Sequence, residues 1–302
     1  MNSIFSTGIL GLDIALASGG IPRGCLVEIF GPEKCGKTAL CLSILSEVQK
    51  LGGQTAFIDL DQTLDPSHVE RLGINSQKVI YSRPENARQA TDIARTLTRT
   101  GAIDLLVFDS ITCLLAMGVQ IPGKSNSKAA TRLLAQTVRE LSALAPETGT
   151  TILFTNEWRE RAGYIYGVPV TTSGGIALKL HAAIRLEMTP CDTILARPNK
   201  IGEKIRVKIV KPKSLLFHTT IINIMYNGVV SRLDNLFDLA VEMDLINKQD
   251  GFYSYGRFSL GRGREAVITC LREHPRAAEN IETDIRTKYF SSSAVLSDED
   301  SS

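Results

Sequence analysis

The eight residues GPEKCGKT, positions 31–38, follow the apolar run LVEIF and precede the helix-forming run ALCLSIL. A phosphate-binding loop of the pattern G-x-x-x-x-G-K-[ST], set between a strand and a helix, restricts the chain to an α/β fold that carries a nucleotide. Its glycines, Gly31 and Gly36, let successive backbone N–H groups converge on phosphate oxygens. Lys37 neutralises phosphate charge, and the Thr38 hydroxyl is a ligand for magnesium. The cradle so defined comprises Gly31, Pro32, Glu33, Lys34, Cys35, Gly36, Lys37 and Thr38.

The rest of the chain supplies the alternation that such a loop needs. LVEIF, TAFIDL, KVIYS, LLVFD and TTILFTN read as strands, with helices expected from about Lys37, around 67–72, around 87–98 and around 129–144. The strands should form a mostly parallel, twisted sheet. Alternation then stops, and IRLEM, IRVKIV and TTIINIMY read as further strands that extend this sheet. After Gly228 two short amphipathic segments flank YSYGRFSLG, which predicts a small α+β C-terminal domain. The expected division is a core over 1–229, the small domain over 230–290, and a disordered acidic tail over 291–302 that ends in SDEDSS.

Composition narrows the partners. With 302 residues and 43% of them hydrophobic, the chain can bury a large core. A formal net charge of +2 gives no global field, so any contact with nucleic acid must come from local basic patches. The sequence shows neither a signal peptide nor an apolar run of membrane-spanning length, which makes a cytoplasmic protein with no membrane partner the expectation. Six cysteines lack C-x-x-C pairing and metal-ligand spacing, and are expected to be reduced and mostly buried. Cys35 is the expected exception, a thiol within the phosphate loop that is accessible to alkylation when the nucleotide is absent.

Ligands of parallel α/β sheets bind at the carboxyl ends of the strands. Asp109 ends LLVFD, the place from which a carboxylate holds magnesium or its water shell. Asp59, Asp61 and Asp65 cluster after TAFIDL, and spacing alone does not choose which of them orients or deprotonates an attacking water. The stretch WRERAGYIYGVPVTTSGG, 158–175, mixes Arg159, Arg161, Tyr164, Tyr166 and Thr172 with glycines and lacks regular periodicity, as a strand-binding nucleic-acid loop does. Gly174 and Gly175 are expected to open the next helix and offer backbone N–H groups to a phosphate.

From STGILGLDIALASGGIPRG through GPEKCGKT, AFIDLDQTLDP and LLVFDS to TTSGGIALKLHAAIRLE, VKIVKPK and GFYSYG, the chain resembles the bacterial RecA recombinases over most of its length. The resemblance implies a RecA-type P-loop NTPase that uses ATP and Mg2+ and coats single-stranded DNA as a filament. It pairs that strand with homologous double-stranded DNA and, in the SOS response, acts on a repressor. It assigns Lys37 and the loop to phosphates, Thr38 and Asp109 to magnesium, and Asp65 to the side of the adenine. Lys211 and Lys213 would reach the neighbouring subunit's ATP, making self-association nucleotide-dependent. Arg132 and Arg139 would sit beside a first DNA loop, IPGKSNSK.

The pattern is broken in places. Asp61 stands where the family has a catalytic glutamate, and one methylene withdraws its carboxylate by about 1.5 Å. Misplacement near 1 Å costs on the order of a hundredfold, so slow, DNA-dependent ATP hydrolysis is expected. Glu157 replaces a glutamine that senses the terminal phosphate, and a sharper expectation gives Glu157 the catalytic role that Asp61 performs poorly. With STG almost at the start of the sequence, the family's N-terminal polymerisation helix is expected to be missing. His68 and Leu180 replace aromatic residues. A rival reading is a RecA-like regulatory module that binds ATP and DNA with little or no hydrolysis.

Overall fold

The computed structural model describes residues 4–121, 124–160, 170–196, 199–212 and 219–299. Among them a nine-stranded sheet forms the core. Its strands lie in the order Thr219–Met225, Asn199–Lys211, Ile184–Ala196, Leu26–Gly31, Thr151–Glu160, Leu105–Asp109, Thr55–Asp59, Val79–Ser82, with Val170–Thr172 attached to Thr151–Glu160. From Ile184–Ala196 to Val79–Ser82 every neighbouring pair is parallel, and the two strands beyond Ile184–Ala196 are antiparallel.

Strand alternation sends successive side chains to opposite faces, and both faces are covered here. Val27, Ile29, Phe57, Val107 and Leu153 pack with Leu40, Ile44 and Val48 of the helix Lys37–Lys50. Leu26, Ile58, Phe108, Ile152 and Phe154 pack on the other face against Ala90 and Ala94 of Ala87–Arg99 and Leu134 and Val138 of Ser127–Thr148. This two-sided burial is why the strands read as continuous apolar runs. It leaves the strand ends as the place where polar groups collect.

The C-terminal unit joins the helix Arg232–Glu242, the antiparallel strands Ile246–Gln249, Phe252–Tyr255 and Phe258–Arg262, and the helices Arg264–Glu273 and Pro275–Glu299. Its core of Leu236, Phe237, Leu260, Leu271 and Ile285 takes in Leu10, whereas Leu12 from the same short helix, Leu10–Ala15, enters the main core. Arg264 reinforces the unit with Nε donating to Asp234 Oδ1 at 2.8 Å and Nη2 to Asp238 Oδ2 at 3.1 Å. The expected tail differs: the last helix continues to Glu299, with no proline or glycine after Pro275 to stop it.

Two further differences concern loops. TTILFTN, expected to end at Asn156, continues as a strand to Glu160 because Trp158, Arg159 and Glu160 pair with Thr172, Thr171 and Val170. The stretch IPGKSNSK, given above as a first DNA loop, overlaps a pairing of Val119–Ile121 with Lys124–Asn126. Among the described residues no helix is long and apolar enough to cross a membrane.

Candidate nucleotide and DNA site

The phosphate loop turns between Gly31, last residue of its strand, and Lys37, first residue of its helix. Gly36 has φ +84°, a left-handed conformation, and a Cβ there would lie 2.3 Å from Ile224 Cδ1. A Cβ on Gly31 would lie 2.1 Å from the Met188 carbonyl oxygen. Backbone curvature and close packing therefore both require glycine. Lys34 is also left-handed at φ +60°, and Glu33 and Lys34 are exposed beside the half-buried Pro32. Lys37, 8% exposed, donates from Nζ to the Pro32 carbonyl at 2.7 Å. Its ammonium is thereby folded back over the loop.

Opposite the loop, Asp109 is 5% exposed at the end of its strand. Thr38 Oγ1 donates to its Oδ2 at 2.6 Å, and Thr155 Oγ1 donates to its Oδ1. Burial raises the Asp109 pKa above the ordinary 3.8; the two hydroxyls oppose that rise, and the charges of Asp61 and Asp59 add to it. A carboxylate this deeply buried beside a threonine hydroxyl is a poor resting place for unbalanced charge and a good one for a divalent cation. Among the described residues no group of three or more His, Cys, Asp or Glu could hold a metal by itself.

Spacing left three aspartates open, and their surroundings separate them. Asp59 is buried and accepts from Tyr81 Oη at 2.5 Å and Leu64 N at 3.2 Å, with Arg83 Nε 3.8 Å away. Asp65 caps the helix Pro66–Arg71, accepting from Ser67 N at 3.0 Å. Asp61 is exposed and accepts from Ser110 Oγ at 3.1 Å, one residue beyond Asp109. Of the three it is the one hydrogen-bonded to the residue that follows Asp109. Glu157 is half-buried, pairs in register with Gly31, and its charge acts on both Cys35 and Cys113.

Cys35 corrects the sequence expectation. It is 1% exposed, and burial first of all raises its thiol pKa, with Lys37 and backbone donors opposing. The loop wraps the sulfur inward, so it is neither accessible nor a thiolate in this state.

On the DNA side, Arg132 and Arg139 are exposed on the helix Ser127–Thr148. Thr172 is buried at the stem of the ribbon. Gly174 and Gly175 are left-handed, at φ +84° and +81°, but they precede the helix rather than open it. That helix is Ala177–His181, with Ile176 as its N-cap, and its five residues are too short for an N-terminal anion site. The backbone of Arg159 lies in the ribbon; its side chain, Arg161, Tyr164, Tyr166, Lys213 and the His68 side chain lie outside the described residues. Lys211 donates to the Leu180 carbonyl at 2.9 Å, capping the short helix of its own chain. Leu180 itself is exposed.

Sequence reasoning did not single out Thr155, Ser110, Glu28, Asn156 or Arg185. Glu28 and Asn156 are polar residues at fully buried strand positions, which was the one available signal.

A model of the RecA N-terminal domain matches residues 2–231, and one of the RecA C-terminal domain matches residues 234–290. The chain belongs to the RecA family. It is 40% identical to Protein RecA of Caulobacter vibrioides strain NA1000 over 289 residues, covering 93% of this chain and 80% of that relative. It is 40% identical to Protein RecA of Halalkalibacterium halodurans over 95% of this chain and 83% of the relative. With Protein RecA of Rickettsia massiliae the identity is 41%, over 94% and 83%. As a RecA-family member the chain is an ATP-dependent DNA recombinase of the repair machinery. RecA homologues are DNA-dependent ATPases, typically with Mg2+, that form filaments on DNA.

Proposed function

We propose that this chain hydrolyses ATP slowly, in the service of pairing single-stranded with double-stranded DNA, and that Asp61 is the carboxylate that orients the attacking water. The observation that carries this reading is the joining of Thr38 and Thr155 on the buried Asp109, with Asp61 held one residue away through Ser110. Bound Mg2+–ATP supplies the electrophilic terminal phosphoryl group and the divalent charge. Backbone N–H groups of residues 33–38 and Lys37 would hold its phosphates, and Thr38 and Asp109 would hold the metal. Asp65 would lie beside the adenine.

Asp61 accepts the water's proton or orients it, while Ser110 fixes the carboxylate's direction. The shorter side chain makes that reach poor. Glu157, opposite Gly31 in the adjacent strand, is the second candidate for the same step. Lys211 and Lys213 extend to a neighbouring subunit's ATP. For Lys211 this requires release of the Leu180 carbonyl. Arg132, Arg139, Arg159, Arg161, Tyr164, Tyr166, Thr172, Gly174 and Gly175 form the DNA-facing group. Residues 1–229 act as the catalytic core and 230–290 as an appended domain, in a cytoplasmic protein that also engages an SOS-type repressor.

The test is ATP hydrolysis by the purified chain with and without single-stranded DNA, using Lys37→Ala as the blank. DNA-stimulated turnover above the blank supports the reading. ATP binding without turnover above the blank would reduce the chain to a ligand-gated binding module.

A further inference from the structure

Between the phosphate loop and the DNA ribbon lies a chain of buried polar groups that neither site uses. Glu28, in the middle of the phosphate-loop strand, is fully buried. Arg185 Nε donates to its Oε2 at 2.5 Å, and the same guanidinium stacks on Phe30, 4.6 Å from the ring centroid. Asn156, also fully buried, donates from Nδ2 both to Glu28 Oε1 at 2.8 Å and to the Ser173 carbonyl at 3.0 Å. Its Oδ1 accepts from Glu157 N at 2.9 Å, and the Glu157 carbonyl accepts from Ser173 N at 3.3 Å. On the far side Arg185 is the register partner of Lys211.

We infer that Asn156 and Glu28 are positioning residues that couple nucleotide to DNA. The amide of Asn156 fixes the backbone of Glu157, next to Gly31, and the backbone of Ser173, next to the two left-handed glycines, in one rigid unit. A group buried this deeply tolerates few alternative partners, so a shift of residue 157 toward or away from a terminal phosphate is passed to residues 173–175 rather than absorbed by side-chain rotation. Arg185 ties the same unit to the strand that carries Lys211. The inference rests on the reading of residues 171–175 as part of the DNA end.

Two variants of the full chain separate coupling from mere packing. Asn156→Asp keeps the acceptor toward Glu157 N and removes the donor toward Glu28 and Ser173. Glu28→Gln with Asn156→Asp restores a hydrogen bond between the two strands with donor and acceptor exchanged, and the new amide keeps its oxygen for Arg185. It does not restore a donor to the Ser173 carbonyl. The readout is affinity for a fluorescein-labelled oligothymidylate with and without a slowly hydrolysed ATP analogue. Couplings between sites are about 5- to 150-fold.

In Asn156→Asp the nucleotide-dependent gain should fall below about twofold, with affinity for a fluorescent ATP analogue within about threefold of the parent. The double variant should regain the parent's thermal stability and still lack the gain. Retention of the gain in Asn156→Asp, or its return together with stability in the double variant, overturns the inference. If Asn156→Asp does not fold, the double variant decides alone; if neither folds, the bridge is structural and the inference fails. A parent that shows the gain without hydrolysis refutes slow catalysis and leaves the bridge standing, whereas a parent without the gain has nothing to transmit and overturns it.

Discussion

The proposed nucleotide side and the proposed DNA side of this molecule both hold groups suited to phosphate, yet they hold them differently. Around Asp109 the donors are two short hydroxyls, one buried and one half-buried, and Lys37 is folded onto its own loop. On the DNA side Arg132 and Arg139 are exposed and the backbone turns on two adjacent left-handed glycines. Preorganised groups in a water-poor site act strongly and pay no reorganisation at the moment of reaction. Long exposed cations act weakly and are screened by salt. On the proposed reading, the contrast fits chemistry on one side and adjustable grip on the other.

The sharpest challenge to that contrast is Asp109→Asn. Hydrolysis should drop by about 10²- to 10³-fold, and the thermal stabilisation by Mg2+–ATP should vanish in a melting assay. The nucleotide-free variant should melt no lower than the parent at pH 7. A carboxyl whose folded pKa is raised stabilises the fold below its unfolded pKa, and that contribution is lost as pH rises through the folded value. The melting difference in favour of the variant should therefore grow as pH is raised from about 4 and then level off. A variant that melts well below the parent at pH 7 would show that the buried charge is already balanced without metal.

Next in size is Asp61→Glu, which restores one methylene and should raise DNA-stimulated turnover by about tenfold or more. Steady-state kinetics on this variant and on Glu157→Gln divide the catalytic role. If Glu157→Gln keeps full activity and Asp61→Asn loses it, Glu157 has no part in water activation.

Gly174→Ala tests the DNA side's geometry. A left-handed alanine with its Cβ 2.5 Å from Leu134 Cδ2 should cost about 2 kcal/mol in denaturant unfolding. Gly175→Ala, whose Cβ meets only Thr131 Cγ2 at 3.7 Å, should cost about 1 kcal/mol. Equal costs would mean that packing against Leu134 contributes nothing. The smallest effect belongs to Arg132→Ala, which should reduce the slope of log affinity against log salt by about 0.7 to 1 for single-stranded DNA. A change of tenfold or more at every salt concentration would place Arg132 in a desolvated contact and break the contrast.

The parallel core was legible because two-sided burial writes itself as uninterrupted apolar strands, and the loop because its spacing carries a mechanism. Asp109 followed from the end of LLVFD. What could not be read was pairing at long range. Thr155 looks like any strand threonine until it lies beside a residue 46 positions earlier. Glu28 in LVEIF signals a buried charge, but its partners Asn156 and Arg185 are 128 and 157 residues away. Cys35 was misjudged because loops are ordinarily exposed, whereas this one curls a side chain beneath itself. The glycines 174 and 175 were placed at a helix start because sequence does not show where a left-handed turn ends and a helix begins.

The inward turn of Cys35 has a practical consequence. A protonated thiol sealed under the phosphate loop reacts with an alkylating reagent only while the loop stands open, so its modification rate at fixed reagent concentration counts openings. That rate is readable by mass spectrometry without any label or substitution.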